Sequence, residues 1–364
     1  MKNFLRFLLK IQLQKSQHLQ SQKGFTLVEL LVALILAFLV ITPLMGFMID
    51  VMNTDRKEQA KSTSEQEVQA ALAYIAQDME QAVYIYDADG IYGKTTTVNG
   101  ETITINGILG QLPSGTASNP DKVPVLVFWK RYFLNKDQIV QTSSTSTGRA
   151  GCLYNLPSTG GGGCNDQDYM LYSLVAYYLV KDNSATWNST TTRIERWEIR
   201  DGIRDVTGSF SRSETVNSTT KTVKYRLLPS TGFMPFDLSL EGDLKRKLGN
   251  WRKHSASYDL NVNKLTTLAD YIDQTTSGTP TLAACNTAAG EQQVPDYTKT
   301  NVPTTFRTGS FYACVNASKY IARVYIRGNA LARIQTGAQY SSQQSAYFPT
   351  ANIQIKGRGF LGIE

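Results

Sequence analysis

The stretch FTLVELLVALILAFLVITPLMGFMI, from Phe25 to Ile49, decides the fold of this 364-residue chain. Glu29 is its only charged residue, and every position from Leu30 to Ile49 is uncharged. At a rise of about 1.5 Å per residue this uncharged run forms roughly 30 Å of helix, which is the thickness of the hydrocarbon core of a bilayer. Residues 25–49 therefore predict a membrane-spanning helix near the N-terminus.

Charges on the two sides of this segment predict its orientation. Residues 1–24 carry five basic and no acidic residues, whereas residues 50–69 carry three basic and five acidic residues. Because Lys and Arg stay on the cytoplasmic side, we expect a single-pass membrane protein with a cytoplasmic N-terminus and a body outside the cytoplasm. A cleaved secretory signal is the alternative, but no small-residue cleavage site follows the apolar run.

The basic excess of the chain belongs to its N-terminal segment, residues 1–24. Subtracting the five positive charges of that segment from the net charge of +7 leaves +2 for the rest of the chain. A nucleic-acid binder usually presents a concentrated basic face, so we expect no nucleic-acid partner. With 41% hydrophobic and 18% charged residues, the chain can bury a large core, which excludes a wholly disordered protein.

The helical period continues past the apolar run and then gives way to strand patterns. Apolar residues recur at steps of three and four through Val83, which predicts an amphipathic second half of the helix over residues 50–86. Six later segments rich in β-branched and aromatic residues predict strands at 123–133, 169–180, 192–200, 222–228, 322–328 and 352–359. The predicted fold class is α+β, with the helix packed on an antiparallel β-sheet head (residues 87–364) that has long loops.

The heptapeptide KGFTLVE at residues 23–29, followed by the apolar run, resembles the prepilin processing site of type IV pilins and type II secretion pseudopilins. The resemblance implies a pilin-like fold, cleavage of a leader (residues 1–24) between Gly24 and Phe25 by a prepilin peptidase, and N-methylation of Phe25. It implies that Glu29 pairs with the charged N-terminus of an adjacent subunit, which sets the register of a filament. The implied partners are other pilins and pseudopilins, the prepilin peptidase, an inner-membrane platform and an assembly ATPase.

Pro43 and Gly46 predict a break in the helix. Proline in a helix interior removes one backbone hydrogen bond and favours a kink. In pilin-like chains a break in this stretch is where the helix curves or melts when subunits pack in a filament. An ordinary kink in a membrane helix predicts the same geometry.

Segments of the head (residues 87–364) indicate which kind of pilin-like protein the chain resembles. The YYLV and RIERWEIRDG segments within a large head resemble the larger minor pseudopilins, the J type of type II secretion and the W type of type IV pili. RGNALARIQ (327–335) and YFPTANIQIKGRGF (347–360) resemble a cyanobacterial pseudopilin group linked to hormogonium polysaccharide secretion.

These resemblances imply a non-enzymatic minor pseudopilin that primes or caps a filament and supports secretion, with polysaccharide export and gliding motility as the roles of that group. Secreted polysaccharide then joins the implied partners. The resemblance implies that the single span lies in the inner membrane with the head in the periplasm, and that the mature protein then enters a filament or reaches the cell surface. The alternative is a bitopic, membrane-anchored polysaccharide-binding receptor or hydrolase, which would keep its leader.

Four cysteines lie in the head. Cys152 is close in sequence to Cys164, Cys285 is close to Cys314, and the two groups are far from each other. An exported head lies in an oxidising compartment, which predicts two disulfides; three pairings are open, and proximity favours Cys152–Cys164 and Cys285–Cys314. A zinc site is the alternative, but C-x-x-C is absent from the sequence, and neither a cysteine nor a second histidine lies near His254 along the chain. We therefore expect no metal, no cofactor and, since no catalytic motif occurs, no catalytic residue.

The segment LKRKLGNWRKH, at residues 244–254, is strongly basic. This composition predicts contact with a polyanion such as an acidic polysaccharide, and the alternative is a solvated charged face. The predicted contact residues are Lys245, Arg246, Lys247, Arg252 and Lys253.

Overall fold

A computed structural model of the chain describes residues 25–113, 121–154, 163–183, 191–216, 219–254 and 257–359. The predicted leader, with Gly24, lies outside the described residues. The chain divides into two units, Met1–Arg56 and Lys57–Glu364, and each is described by itself below.

The described residues form three α-helices, sixteen strands and short 3₁₀ turns. The helices are α1 (Leu27–Glu80), α2 (Ala88–Tyr92) and α3 (Leu244–Gly249). The strands are β1 (Ala82–Ile85), β2 (Lys94–Val98), β3 (Glu101–Ile105), β4 (Lys122–Leu134), β5 (Ile139–Gln141), β6 (Thr147–Arg149), β7 (Tyr169–Val180), β8 (Thr192–Arg200), β9 (Ile203–Arg204), β10 (Phe210–Val216), β11 (Thr219–Leu227), β12 (Thr266–Ile272), β13 (Gln292–Val294), β14 (Phe311–Asn316), β15 (Ile321–Arg327) and β16 (Thr350–Lys356). All six segments predicted as strands contribute to strands.

Helix α1 passes through Pro43 and Gly46 without a break, so the predicted break is wrong for the isolated chain. Proline removes a single i to i−4 bond. The turns on either side keep theirs, and the Thr42 hydroxyl donates to the Phe38 carbonyl oxygen at 2.8 Å. Gly46 costs only about 1 kcal/mol in a helix interior. The break expected when subunits pack in a filament stays a prediction.

Helix α1 also ends earlier than the periodicity predicts. It stops at Glu80, and residues 82–85, which we expected to be helical, form β1. All four β1 residues are buried, and Ile85 pairs with Phe128 of β4. Val83, Tyr84 and Ile85 are β-branched or aromatic, so pairing with β4 in a sheet suits them better than another helical turn.

The larger sheet is antiparallel, with strand order β1-β4-β7-β8-β12. Successive residues of a strand point to opposite faces, so Trp129 and Lys130 of β4 lie on different sides. Lys130 Nζ donates a hydrogen bond to Asp78 Oδ1 of α1 at 2.6 Å, so the C-terminal part of α1 lies on the face of the sheet to which Lys130 points. Trp129 on the other face contacts Phe233 and Trp251, with ring centroids 5.7 and 5.6 Å apart. Both faces are therefore covered.

A second antiparallel sheet has the order β13-β14-β15-β16. The segment that follows β16 lies against β1, because the Gly359 amide donates to the Ala82 carbonyl oxygen at 2.9 Å. A Cβ atom at Gly359 would lie 2.4 Å from Val83 Cγ1, so only glycine permits this approach. A three-stranded sheet (β10-β11-β9) and the hairpins β2–β3 and β5–β6 complete the described strands.

Two disulfides close loops in the head. They join Cys152 to Cys164 and Cys285 to Cys314, the pairing that proximity favours. Cys314 lies in β14 and is fully buried, so the second disulfide ties the irregular segment before β13 to the middle of the second sheet.

Candidate assembly site

The start of α1 has the sequence T-x-x-E, which places a hydroxyl and a carboxylate on the first helical turn. Thr26 directly precedes the helix, and its Oγ1 accepts a hydrogen bond from the Glu29 amide at 3.3 Å. The same hydroxyl donates to Glu29 Oε2 at 3.4 Å. A carboxylate in the first turn is favoured by the helix dipole, so Glu29 stabilises the helix end that cleavage would expose. Phe25, the predicted new N-terminus, is 80% exposed.

The first part of α1 is apolar on all sides. Its large apolar side chains between Leu27 and Met52 are 42–82% exposed. In the described part of the chain, α1 is the one helix long and apolar enough to cross a membrane by length and composition. A helix that is hydrophobic all round requires lipid or other apolar helices around it. This segment is consistent with membrane anchoring.

Comparison with protein families gives one match to this region. Residues 19–45 match the family described as "prokaryotic N-terminal methylation motif". The match includes Gly24, Phe25, Glu29 and the apolar run as far as Met45, and it supports a type IV pilin-like protein that is a structural subunit. Such a motif implies processing by a prepilin peptidase and assembly with other pilins.

Comparisons with curated proteins and with solved structures found no match. The architecture, a long N-terminal apolar helix followed by a head rich in antiparallel β-sheet, is α+β and consistent with the pilin-like fold.

A buried ionic network joins α1 to the larger sheet. Asp78 of α1 accepts hydrogen bonds from Lys130 Nζ at 2.6 Å, Tyr177 Oη at 2.7 Å and Arg196 Nε at 2.7 Å. Glu198 accepts from Arg196 Nη1 and from Arg200 Nη2, both at 3.0 Å. The network brings together residues of α1, β4, β7 and β8.

The pKa values of the two carboxyl groups follow from these contacts. Burial acts to raise the pKa of Asp78, but the hydrogen bonds and charges of Arg196 and Lys130 hold it below its ordinary value. Burial also acts to raise the pKa of Glu198. The charges of Arg196, Lys130 and Arg200 outweigh this effect and lower the pKa of Glu198 to about 2. Both groups are therefore ionised at neutral pH.

Sequence reasoning missed this network, although two signals for it were present. Asp78 lies inside the apolar stripe of α1, next to the buried residue Met79. The strand β8 reads TRIERWEIR, with Arg196, Glu198 and Arg200 at alternate positions and hence on one face. An acid on a buried helix face and a charged strand face indicate a buried ion pair.

The predicted polyanion segment is not one continuous surface. Lys245 Nζ lies 2.6 Å from Asp87 Oδ2 and 2.8 Å from Asp89 Oδ2, so its charge is already paired. Lys253 Nζ lies 4.8 Å from the centre of the Tyr258 ring, and Trp251 is buried in the core. Arg252 is exposed, whereas Arg246 and Lys247 are half-buried on α3. Contact with a polyanion here stays a prediction, with Lys245 excluded as a free cation.

No group of three or more His, Cys, Asp or Glu side chains that could hold a metal ion occurs in the described ranges. The three described Trp residues, Trp129, Trp197 and Trp251, are buried and belong to the core.

Proposed function

We propose that this protein is a minor pseudopilin, a structural subunit of a short type IV pilus-like or type II secretion-like filament. The observation that carries the proposal is the methylation motif at residues 19–45, with Glu29 placed in the first turn of an apolar helix. The leader (residues 1–24) is removed between Gly24 and Phe25, and Phe25 is N-methylated. The apolar part of α1 anchors the subunit in the inner membrane and then packs among the helices of other subunits.

Glu29 is the register-setting residue in this proposal. A carboxylate surrounded by apolar side chains is costly unless a positive charge meets it. The free N-terminus of a neighbouring processed subunit supplies that charge, and a subunit out of register would leave both charges unpaired. The size of the head (residues 87–364) fits a subunit at the filament tip that primes or caps assembly. The system it serves is proposed to export polysaccharide and support gliding motility, with the platform and assembly ATPase as further partners.

The first test is intact-mass and N-terminal analysis of protein recovered from native membranes, with and without the prepilin peptidase. We expect an N-methylated Phe25 that appears only when the peptidase is present. Gly24→Val should block cleavage, because a bulky residue replaces the one before the cut. Gly46→Ala, a glycine change in open space farther along the same helix, should leave cleavage intact.

The second test separates assembly from processing. Glu29→Gln keeps the size of the side chain and removes its charge, so cleavage should proceed while incorporation into filaments is lost. Glu65→Gln, which neutralises an exposed carboxylate on the same helix, should assemble normally. A mature protein that still begins at Met1, or export that survives both Gly24→Val and Glu29→Gln, would favour the bitopic receptor or hydrolase instead.

A further inference from the structure

A polar cleft of about 620 Å³ opens beside the ends of β7 and β12. Lys181 follows the last residue of β7, and Gln274 follows β12 by two positions. Arg307 and Gln339 line other parts of the cleft, together with three threonines. The described lining includes cations, amides and hydroxyls, and no carboxylate and no aromatic ring.

Buried contacts fix two walls of this cleft. Asp273 is fully buried, and its Oδ2 accepts a hydrogen bond from Arg327 Nε at 2.8 Å. The Thr275 hydroxyl donates to Asp273 Oδ1 at 2.6 Å and accepts from the Tyr340 amide at 2.8 Å. The segments around residues 274–276 and 337–340 are thus held to each other and to β15, so the cleft is preformed.

The two cations of the cleft carry uncompensated charge. Arg307 donates from Nε and Nη2 to the Val302 carbonyl oxygen at 3.1 and 3.0 Å, which fixes its guanidinium without neutralising it. Neither Lys181 nor Arg307 forms a salt bridge within the described ranges. The nearby Asp182 carboxylate is held instead by Arg193, at 2.7 and 2.9 Å.

We infer that this cleft binds an acidic oligosaccharide segment. Two positive charges, one of them on the fixed Arg307 guanidinium, select carboxylate or sulfate groups, and the Gln339 amide and the threonine hydroxyls offer hydrogen bonds to sugar hydroxyls. A stacked neutral sugar would use an aromatic ring as its platform, and the described lining has none. For its biological meaning the inference rests on the proposed export function, since it names the class of polymer that the filament subunit contacts.

The test is calorimetric titration of the full-length protein in detergent micelles with tetragalacturonate, using maltotetraose as a neutral probe of equal length. We expect binding of the acidic probe only, and an affinity that falls between about 50 mM and about 300 mM salt because the charges become screened. Lys181→Gln and Arg307→Gln should each weaken binding about tenfold, the loss of one charge-assisted hydrogen bond. Lys221→Gln, an exposed lysine on β11, is the matched control and should bind as the unchanged protein does.

Three results would overturn the inference: equal binding of both tetrasaccharides, no binding of tetragalacturonate, or loss of binding in Arg252→Gln while Lys181→Gln binds normally. The last would assign the polyanion to the segment at residues 244–254. An unchanged thermal unfolding midpoint shows that each variant is folded. Because titration does not require leader removal, retention of the leader would contradict the proposed function and leave the cleft result standing.

Discussion

Asp78 and Glu198 show how single side chains hold the helix on the sheet. Each carboxylate is buried, with side-chain exposures of 7% and 8%, and each accepts hydrogen bonds from arginine. Breaking a buried ion pair by removing one partner is far more destabilising than losing a surface pair, because the remaining charge stays buried. A substitution that removes one charge from this network should therefore destabilise the protein more than the same substitution at an exposed position.

Glu198→Gln should lower the free energy of unfolding by about 3 kcal/mol at neutral pH. The pKa of Glu198 falls from an ordinary value of 4.5 to about 2 in the folded protein, and that difference corresponds to about this energy. Because the folded-state pKa is the lower one, the contribution is complete above about pH 4.5 and is lost as the pH falls towards 2. Denaturant unfolding of the full chain in micelles at several pH values measures both effects.

The matched control for this prediction is Glu101→Gln in the exposed β2–β3 hairpin. It should change the free energy of unfolding by less than about 0.5 kcal/mol. If Glu198→Gln is as stable as this control, or keeps the full acid dependence between pH 4.5 and 2, then Glu198 does not act through its charge.

At the scale of elements, the Cys285–Cys314 disulfide supports the second sheet. The segment from residue 273 to 291 contains no strand, and its contact with β14 depends partly on this bond. The paired change Cys285→Ala and Cys314→Ala opens a loop with a sequence separation of 29, and the chain-entropy treatment gives a loss of about 3–4 kcal/mol.

The paired change Cys152→Ala and Cys164→Ala provides the comparison, since its sequence separation is 12 and the expected loss is about 1 kcal/mol smaller. Thermal or denaturant unfolding without reductant gives both values. A reductant should destabilise the unchanged protein and have little effect on a variant that lacks all four cysteines. Equal stability of the Cys285/Cys314 variant and the unchanged protein would show that the second sheet does not depend on this bond.

At the scale of the whole molecule, the charge distribution predicts how the chain crosses the membrane. The five basic residues of the leader (residues 1–24) should keep it in the cytoplasm, and the head should lie outside. Protease added to spheroplasts of a strain without the prepilin peptidase should therefore degrade the head and leave a protected N-terminal fragment.

The matched variant replaces all five leader cations with glutamine and should reduce the fraction in this orientation. A head that resists protease in intact spheroplasts, yet is cut after lysis, would place it in the cytoplasm. That result would contradict both the predicted orientation and a filament role.

The sequence by itself determined the features that depend on short stretches of chain. The apolar run from Phe25 to Ile49 predicts a membrane-spanning helix, the KGFTLVE heptapeptide predicts a processing site, and the β-branched segments indicate the strands. Each of these follows from period or composition, which are local properties of the chain. Proximity along the chain likewise favoured the two disulfide pairs that the structure forms.

Only the tertiary structure decided where α1 ends and which charges meet. Residues 82–85 follow the helical period but become β1, because β4, which begins only at Lys122, offers them a sheet partner. Asp78 and Arg196 are 118 positions apart in the sequence and form a hydrogen bond, and Lys245 and Asp87, 158 positions apart, form another. The basic segment at residues 244–254 therefore has one of its lysines paired with an aspartate from another part of the chain. Such contacts depend on the path of the whole chain, which no local pattern contains.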